Sequence, residues 1–573
     1  MFYRRCLGIA CFGAVAAAMT AADLRAQDMR RPKRLIATGW DHPTSRELPG
    51  ILAEMEKRPF DGVVVPFVGQ RDDGKPAPLN WAFVNEPWRR EWFQAEIDRL
   101  RRCTFQRLTH NFVELHANPG NVDWFDDGGW ENIVDHWRIA AWVAKNAGFR
   151  GILLDPEPYA PPHAQFHYAA QPQRDQHAFR DYYAKARQRG RKIMEAVVAE
   201  YPDITIFCYF MNSVNGAAVG NADPRAALAS SGYGLLPAMI DGWLDAMPPT
   251  VTLVDGCESA YRFNSRLEYL EAANLMRGAC QELVSPENRA KYRAQVQTSF
   301  GVYLDAYWNP QGNPWYIDGR GGPRVDRLRS NVQSALEAAD EYVWIYGERF
   351  RWWPTSHSGV RKESWPEVLP GCDQALAFAR NPREYARTAL ADLKAAGKLV
   401  NLARNGDFGA ASAVSLDGKP ENYRENGPPA GWGAWQEEKS HGTFTWDKAA
   451  NGGGALGAAR AANVGGGCFI QSFRVRPGER YPVGALCRTA GRGEARIRVR
   501  WQTPDGHWTA EMQDRLMFPE PPDQPGPDAW STLFGVVEVP EGVGRLVILL
   551  GVAGQRSPED VAWFDRVELY QLP

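Results

Sequence analysis

The stretch Gly151-Ile152-Leu153-Leu154-Asp155-Pro156-Glu157-Pro158-Tyr159 decides how the chain is read. A short run of apolar residues suits a strand buried on both faces, as in a parallel sheet. The run then ends in two acids, each followed by a proline that holds the chain extended. A strand of this kind needs helices beside it, and both flanks supply one. Upstream, Trp130 to Asn146 sets Ile133, Trp137, Ala141 and Ala144 on one face, and Gly148 stops it. Downstream, Ala178 to Glu200 forms a second long helix, ended by Tyr201-Pro202.

The same alternation continues in both directions. Other short apolar runs are Arg34 to Trp40, Gly62 to Phe67, about Phe105 to Val113, Ile204 to Phe210, Val251 to Asp255, about Phe300 to Leu304, and Tyr342 to Tyr346. With Gly151 to Asp155 they make eight strands, and Val325 to Glu341 is a further helix. Eight strands alternating with helices predict a (β/α)₈ barrel of the TIM type, an α/β fold, over residues 28–398. An open doubly wound sheet is the alternative, but no GxGxxG follows the first strand. A helix from about Pro382 to Lys398 is expected to close the barrel. From residue 399 to 573 the texture turns Gly-, Pro- and Asn-rich. Alternating stretches such as Ala495 to Trp501, with Leu546 to Leu550 and Trp563 to Tyr570, predict an all-β sandwich.

A chain of 573 residues exceeds a single core and implies more than one domain. Hydrophobic residues make up 44% and charged ones 23%, which fits a globular protein rather than a disordered one. The formal net charge of −2 offers no pull toward nucleic acid or an anionic membrane. The 22 Trp, 20 Tyr and 25 Phe are more telling, because aromatic rings stack on the apolar faces of sugars. Arg4 and Arg5, followed by an apolar run to about Ala22, read as an export signal over residues 1–27, so a secreted or periplasmic location is expected. No later stretch is long and apolar enough for a membrane span. Seven cysteines follow the signal without CxxC spacing, so no zinc site is expected; Cys468 and Cys487 are the pair an exported chain could oxidise.

In such a barrel the chemistry sits at the C-terminal strand ends. There the sequence places Trp40-Asp41-His42, Asp155 with Glu157, Asp255 with Glu258, Asp305, and Glu348. Carboxylates crowded at one mouth raise at least one pKa, which suits hydrolysis of a glycosidic bond by one acid and one carboxylate. Glu157 is the expected acid, with Asp155 as its partner and Glu258 or Glu348 as nucleophile or base. Asp255, Asp305, Tyr159, Tyr209, Tyr261, Trp308 and Trp40 are the expected substrate-binding groups. Trp315, Trp352 and Trp353 are further stacking candidates. Any one of these acids can also be an ordinary loop charge, and any one aromatic can be core.

Residues 151–157 resemble the fourth-strand signature of the chitinase-type hydrolases, D-G-x-D-x-D-x-E. Asp155 and Glu157 match it; Arg150 and Leu153 stand where the first two acids belong. The resemblance implies an acid role for Glu157 and a supporting one for Asp155. The opening Asn405-Gly406-Asp407-Phe408 and the closing Phe564-Asp565-Arg566-Val567-Glu568-Leu569-Tyr570 resemble the jelly-roll carbohydrate-binding modules often fused to glycosidases. That resemblance implies a jelly-roll fold and a structural calcium near its two ends, with Asp407 and Asp565 as donors. No cofactor is expected for catalysis.

Together these features predict a secreted glycoside hydrolase acting on a polysaccharide or oligosaccharide. The alternatives are a glycan-binding protein with a degenerate barrel, and a polysaccharide lyase.

Overall fold

The computed structural model describes residues 32–120, 122–159, 164–410, 427–448, 450, 457–522, 526 and 529–572. The expected export signal lies outside them. The chain divides into two compact units, one ending at Arg380 and the other beginning at Asn381.

The first unit is a nearly closed parallel barrel of nine strands. They are β1 (Arg34–Gly39), β2 (Gly62–Val65), β3 (Phe112–Pro119), β4 (Gly151–Asp155), β5 (Thr205–Cys208), β6 (Thr252–Asp255), β7 (Val296–Thr298), β8 (Phe300–Tyr303) and β9 (Tyr342–Gly347). Each pairs in parallel with its neighbours in the order β7-β6-β5-β4-β3-β2-β1-β9-β8. The two ends of that order are consecutive in the chain, separated by Ser299 alone. Its N–H donates to the Asp255 carbonyl at 2.8 Å on the β6 side, while β8 pairs with β9. The expected third strand is displaced: it starts at Phe112 rather than Phe105 and runs on to Pro119.

The core shows why the mouth is polar. Phe112 of β3, Phe207 of β5 and Tyr342 of β9 come from strands that are not neighbours. Their rings nevertheless lie 5.6–5.8 Å apart, so they fill the interior. Side chains alternate along a strand, so every second residue beyond these also faces inward. From Tyr342 that face climbs through Trp344 and Tyr346 to Glu348. From Phe112 it climbs through Glu114 and His116 to Asn118. The interior is therefore aromatic at its base and ionisable at its C-terminal end. The walls approach closely: a Cβ on Gly151 would stand 1.8 Å from the Thr205 carbonyl oxygen, so no larger residue fits there.

Two long helices flank β4, as expected: α1 (Asp127–Asn146) and α2 (Phe179–Glu200). Asp126 starts α1 by accepting the Gly129 N–H at 2.9 Å. Among the described residues no helix is long and apolar enough to cross a membrane.

The second unit opens with α3 (Pro382–Ala395), the helix the sequence assigns to the barrel. Arg383 of α3 instead donates to the Phe534 carbonyl at 2.6 Å and pairs with Glu520, both in the second unit. Two antiparallel five-stranded sheets follow. Along Glu494–Gln502 the buried residues are Ala495, Ile497, Val499 and Trp501, the alternation that the sequence shows. Cys468 and Cys487 lie on different sheets and are free thiols, not a disulfide.

Candidate functional site

The acids at the barrel mouth divide into two kinds by burial. Asp155, Asp255 and Asp305 are buried at 3%, 0% and 0% exposure, whereas Glu157, Glu258 and Glu348 are half-buried. Each aspartate accepts a backbone N–H at or beside one of the glutamates. Asp155 accepts the Glu157 N–H at 2.9 Å. Asp305 accepts the Glu348 N–H at 2.9 Å. Asp255 accepts the N–H groups of Met211 and Ser213 at 3.0 and 2.9 Å, and that of Cys257, next to Glu258, at 3.4 Å. Sequence reasoning gave these aspartates direct work on substrate. Their contacts instead make them struts for the loops that carry the glutamates. Asp41, also buried, accepts the Trp352 N–H.

The glutamates differ in their surroundings. The Glu157 carboxylate accepts the Tyr159 hydroxyl, and the backbone at 157–159 is clamped by Asn118. Asn118 donates to the Glu157 carbonyl and accepts the Tyr159 N–H, each at 3.1 Å. Glu348 accepts the Tyr303 hydroxyl at 2.8 Å. It pairs with neither nearby arginine: Arg349 turns to Asp305 at 3.5 Å and Arg351 to carbonyl oxygens. Glu258 has no side-chain donor among the described residues. Burial, then the charges of Glu157, Asp155 and Glu348, push it up to about 8. Burial likewise raises Asp155 and Asp305, each to about 6, with Glu157 adding to the first and Glu348 to the second. Acids from β4, β6 and β9 thus share one electrostatic environment.

The opposite side of the mouth holds residues that sequence reasoning missed. Glu114 of β3, buried, lies 3.3 Å from Nε2 of His116 and 3.5 Å from Nε2 of His42, both through the same Oε1. Burial works against a charge on His116, but Glu114 and then Asp155 outweigh it and hold the imidazole up at about 9. The carboxylate of Glu114 is correspondingly held well below its usual range, its burial outweighed by the two imidazoles. The signal was present: Glu114, His116 and Asn118 stand at i, i+2 and i+4, one face of a strand. It went unread because the strand was ended at Val113.

The aromatics also sort. Tyr209 stacks on Trp344 at 4.3 Å, is 5% exposed, and its hydroxyl meets Thr38 Oγ1 at 2.5 Å; it is core, not a sugar platform. Tyr261 stacks on Tyr303 at 5.1 Å and is also buried. Trp308 packs edge-on against Phe350 at 5.0 Å, with Arg349 over its ring. Trp352 and Trp353 are buried beside Phe60. Among the expected stacking residues the exposed rings are Trp40, Tyr159 and Trp315, the last covered by the Arg262 guanidinium at 4.2 Å.

Asp407 and Asp565, the expected calcium donors, stand in different surroundings. Asp407 is exposed and accepts the Gly409 N–H at 3.2 Å, while Asp565 is fully enclosed and accepts the Arg566 N–H at 2.6 Å. Among the described residues no group of three or more His, Cys, Asp or Glu side chains is placed to hold a metal ion.

No protein-family model matches the chain, and no curated protein matches it. Solved structures show slight likeness. One is the enzymatically active domain of a bacteriophage CBA120 tailspike protein, with a TM-score of 0.22 and 14% identity over 30% of this chain and 22% of that one. Another is a CBM22-1 xylan-binding domain from Paenibacillus barcinonensis, with a TM-score of 0.19 and 13% identity over 26% and 90%. A third is a CBM61 carbohydrate-binding module bound to β-1,4-galactotriose, with a TM-score of 0.19 and 16% identity over 30% and 99%. This chain thus spans about a fifth of the tailspike domain's length. Likeness this slight carries no functional argument.

Proposed function

We propose that the first unit is the catalytic domain of a secreted glycoside hydrolase. β7 and β8 then count as one strand split at Ser299, which makes the wall a (β/α)₈ barrel, and the second unit is a jelly-roll carbohydrate-binding domain. The reading rests on one observation: half-buried Glu157, Glu258 and Glu348, from three distant strand ends, meet in one environment and are each braced from behind. Two carboxyl groups with separated proton affinities are what glycosidic cleavage requires.

The surroundings favour a different division of labour from the one the sequence implies. Glu157 accepts the Tyr159 hydroxyl, whereas Glu258 has no side-chain donor among the described residues and burial pushes its carboxyl up to about 8. Glu258 therefore gives its proton to the glycosidic oxygen as the bond to the anomeric carbon breaks. Glu157 meets that carbon as nucleophile or deprotonates the attacking water. Glu348, held by Tyr303, accepts hydrogen bonds from substrate hydroxyls. Trp40, Tyr159 and Trp315 provide the exposed faces for sugar rings.

The test compares Glu258→Gln with Glu157→Gln on a glycan panel with reducing-end detection, and on aryl glycosides. Both variants should lose about 10²–10⁴-fold on natural glycans. Glu258→Gln should keep much more of its rate on aryl glycosides, whose leaving group needs no proton. Binding without new reducing ends would favour a non-catalytic glycan-binding protein. Products with unsaturated ends would make the protein a lyase.

A further inference from the structure

The His42–Glu114–His116 cluster has no part in the chemistry assigned above. It joins the ends of β1 and β3, across β2, and faces the mouth beside Asp155 and Tyr159. The His116 and Tyr159 rings are 6.3 Å apart. Tyr346, one turn of side chains below the mouth, feels the charges of Glu348, Asp155 and Glu114 together, so the cluster shares a floor with the acids.

The protein leaves the cluster incomplete. Two imidazoles lean on a single carboxylate oxygen. His42 Nδ1 and His116 Nε2 are both buried with no hydrogen-bond partner among the described residues. The approach of His116 to Glu114 is an ion pair at 3.3 Å, not a directed hydrogen bond. Buried polar nitrogens left in this state ordinarily have a partner. Glu114, enclosed beneath the rings, pairs with both imidazoles, while the half-buried glutamates follow β4, β6 and β9. An incoming group that satisfies both rings must accept hydrogen bonds, and it gains most by carrying negative charge. A sugar hydroxyl gains less, because it brings no charge.

We infer that His42 and His116 form a subsite for the carboxylate of an acidic sugar, so that the substrate is a uronic-acid-containing glycan. This rests on the hydrolase reading and deepens it. Exposed Trp40, beside His42 in the chain, would take the apolar face of the same ring.

The experiment measures binding of oligogalacturonate, oligoalginate and oligohyaluronan to the full-length Glu258→Gln protein, each beside its carboxyl-reduced form. A sulfated neutral galactan forms a separate arm. At least one uronate should bind about tenfold or more above its reduced form, and His116→Gln and His42→Gln should each erase most of that ratio. A ratio near one for all three uronates overturns the inference, and so does preference for the sulfated galactan alone. A ratio that survives both histidine variants also overturns it, since a merely structural role would leave the ratio in place. The hydrolase reading fails separately, when Glu258→Gln cleaves a glycan at the wild-type rate.

Discussion

At the scale of single residues, Glu258 carries two linked predictions. As the proposed proton donor it must be protonated to act, so cleavage should fall as pH rises through about 8, and that limb should vanish in Glu258→Gln. The same elevation costs stability. The folded chain holds this proton more tightly than the unfolded one, so the group's penalty is absent below its ordinary value of 4.5 and grows as pH rises to about 8. Glu258→Gln should therefore melt higher than wild type at pH 9 and close to it at pH 4, as followed by calorimetry. Equal melting points at both pH values would show that Glu258 is not elevated. Asp255 carries a prediction of a different kind. It is fully buried and accepts backbone N–H groups from Met211, Ser213 and Cys257, so Asp255→Asn puts an NH₂ against donors. A loss of about 1–3 kcal/mol is expected in denaturant unfolding, along with reduced turnover.

At the scale of elements, two glycines make a contrast. Gly151 opens β4 with no room for a methyl group against Thr205, while Gly50 lies in the helix Leu48–Met55, where an added Cβ would meet nothing within 4 Å. Gly151→Ala should abolish or severely weaken folding of the barrel. Gly50→Ala should stabilise it by about 0.5–1 kcal/mol, measured by chemical denaturation. The elements themselves were largely legible. Runs such as Gly151 to Asp155 and Tyr342 to Tyr346 announce buried strands because both faces need apolar side chains. The site was legible only in part. Acids directly after a strand can be read from order alone, but whether one faces the cleft or ties down backbone depends on burial, which separated Glu157 from Asp155. Glu114 and His116 lay inside a strand whose end was misplaced. The unit that claims α3 depends on contacts from Arg383 to Glu520 and Phe534, more than a hundred residues away, which no local pattern encodes.

At the scale of the whole molecule, the two units have separate hydrophobic cores, one built around the barrel strands and the other around residues such as Phe469, Trp501, Leu550 and Phe564. Two calorimetric transitions are expected, and substrate should raise the one that the barrel variants alter. A single transition shifted equally by changes in either core would refute that independence. The struts behind the glutamates bear on how such a protein changes its diet. Asp155, Asp255 and Asp305 root the reactive groups in the staves of the barrel, so the spacing of those groups is inherited with the wall. On the proposed hydrolase reading, the segments beyond them can lengthen, shorten or be swapped between proteins, admitting a new sugar while the cutting edge stays where it was.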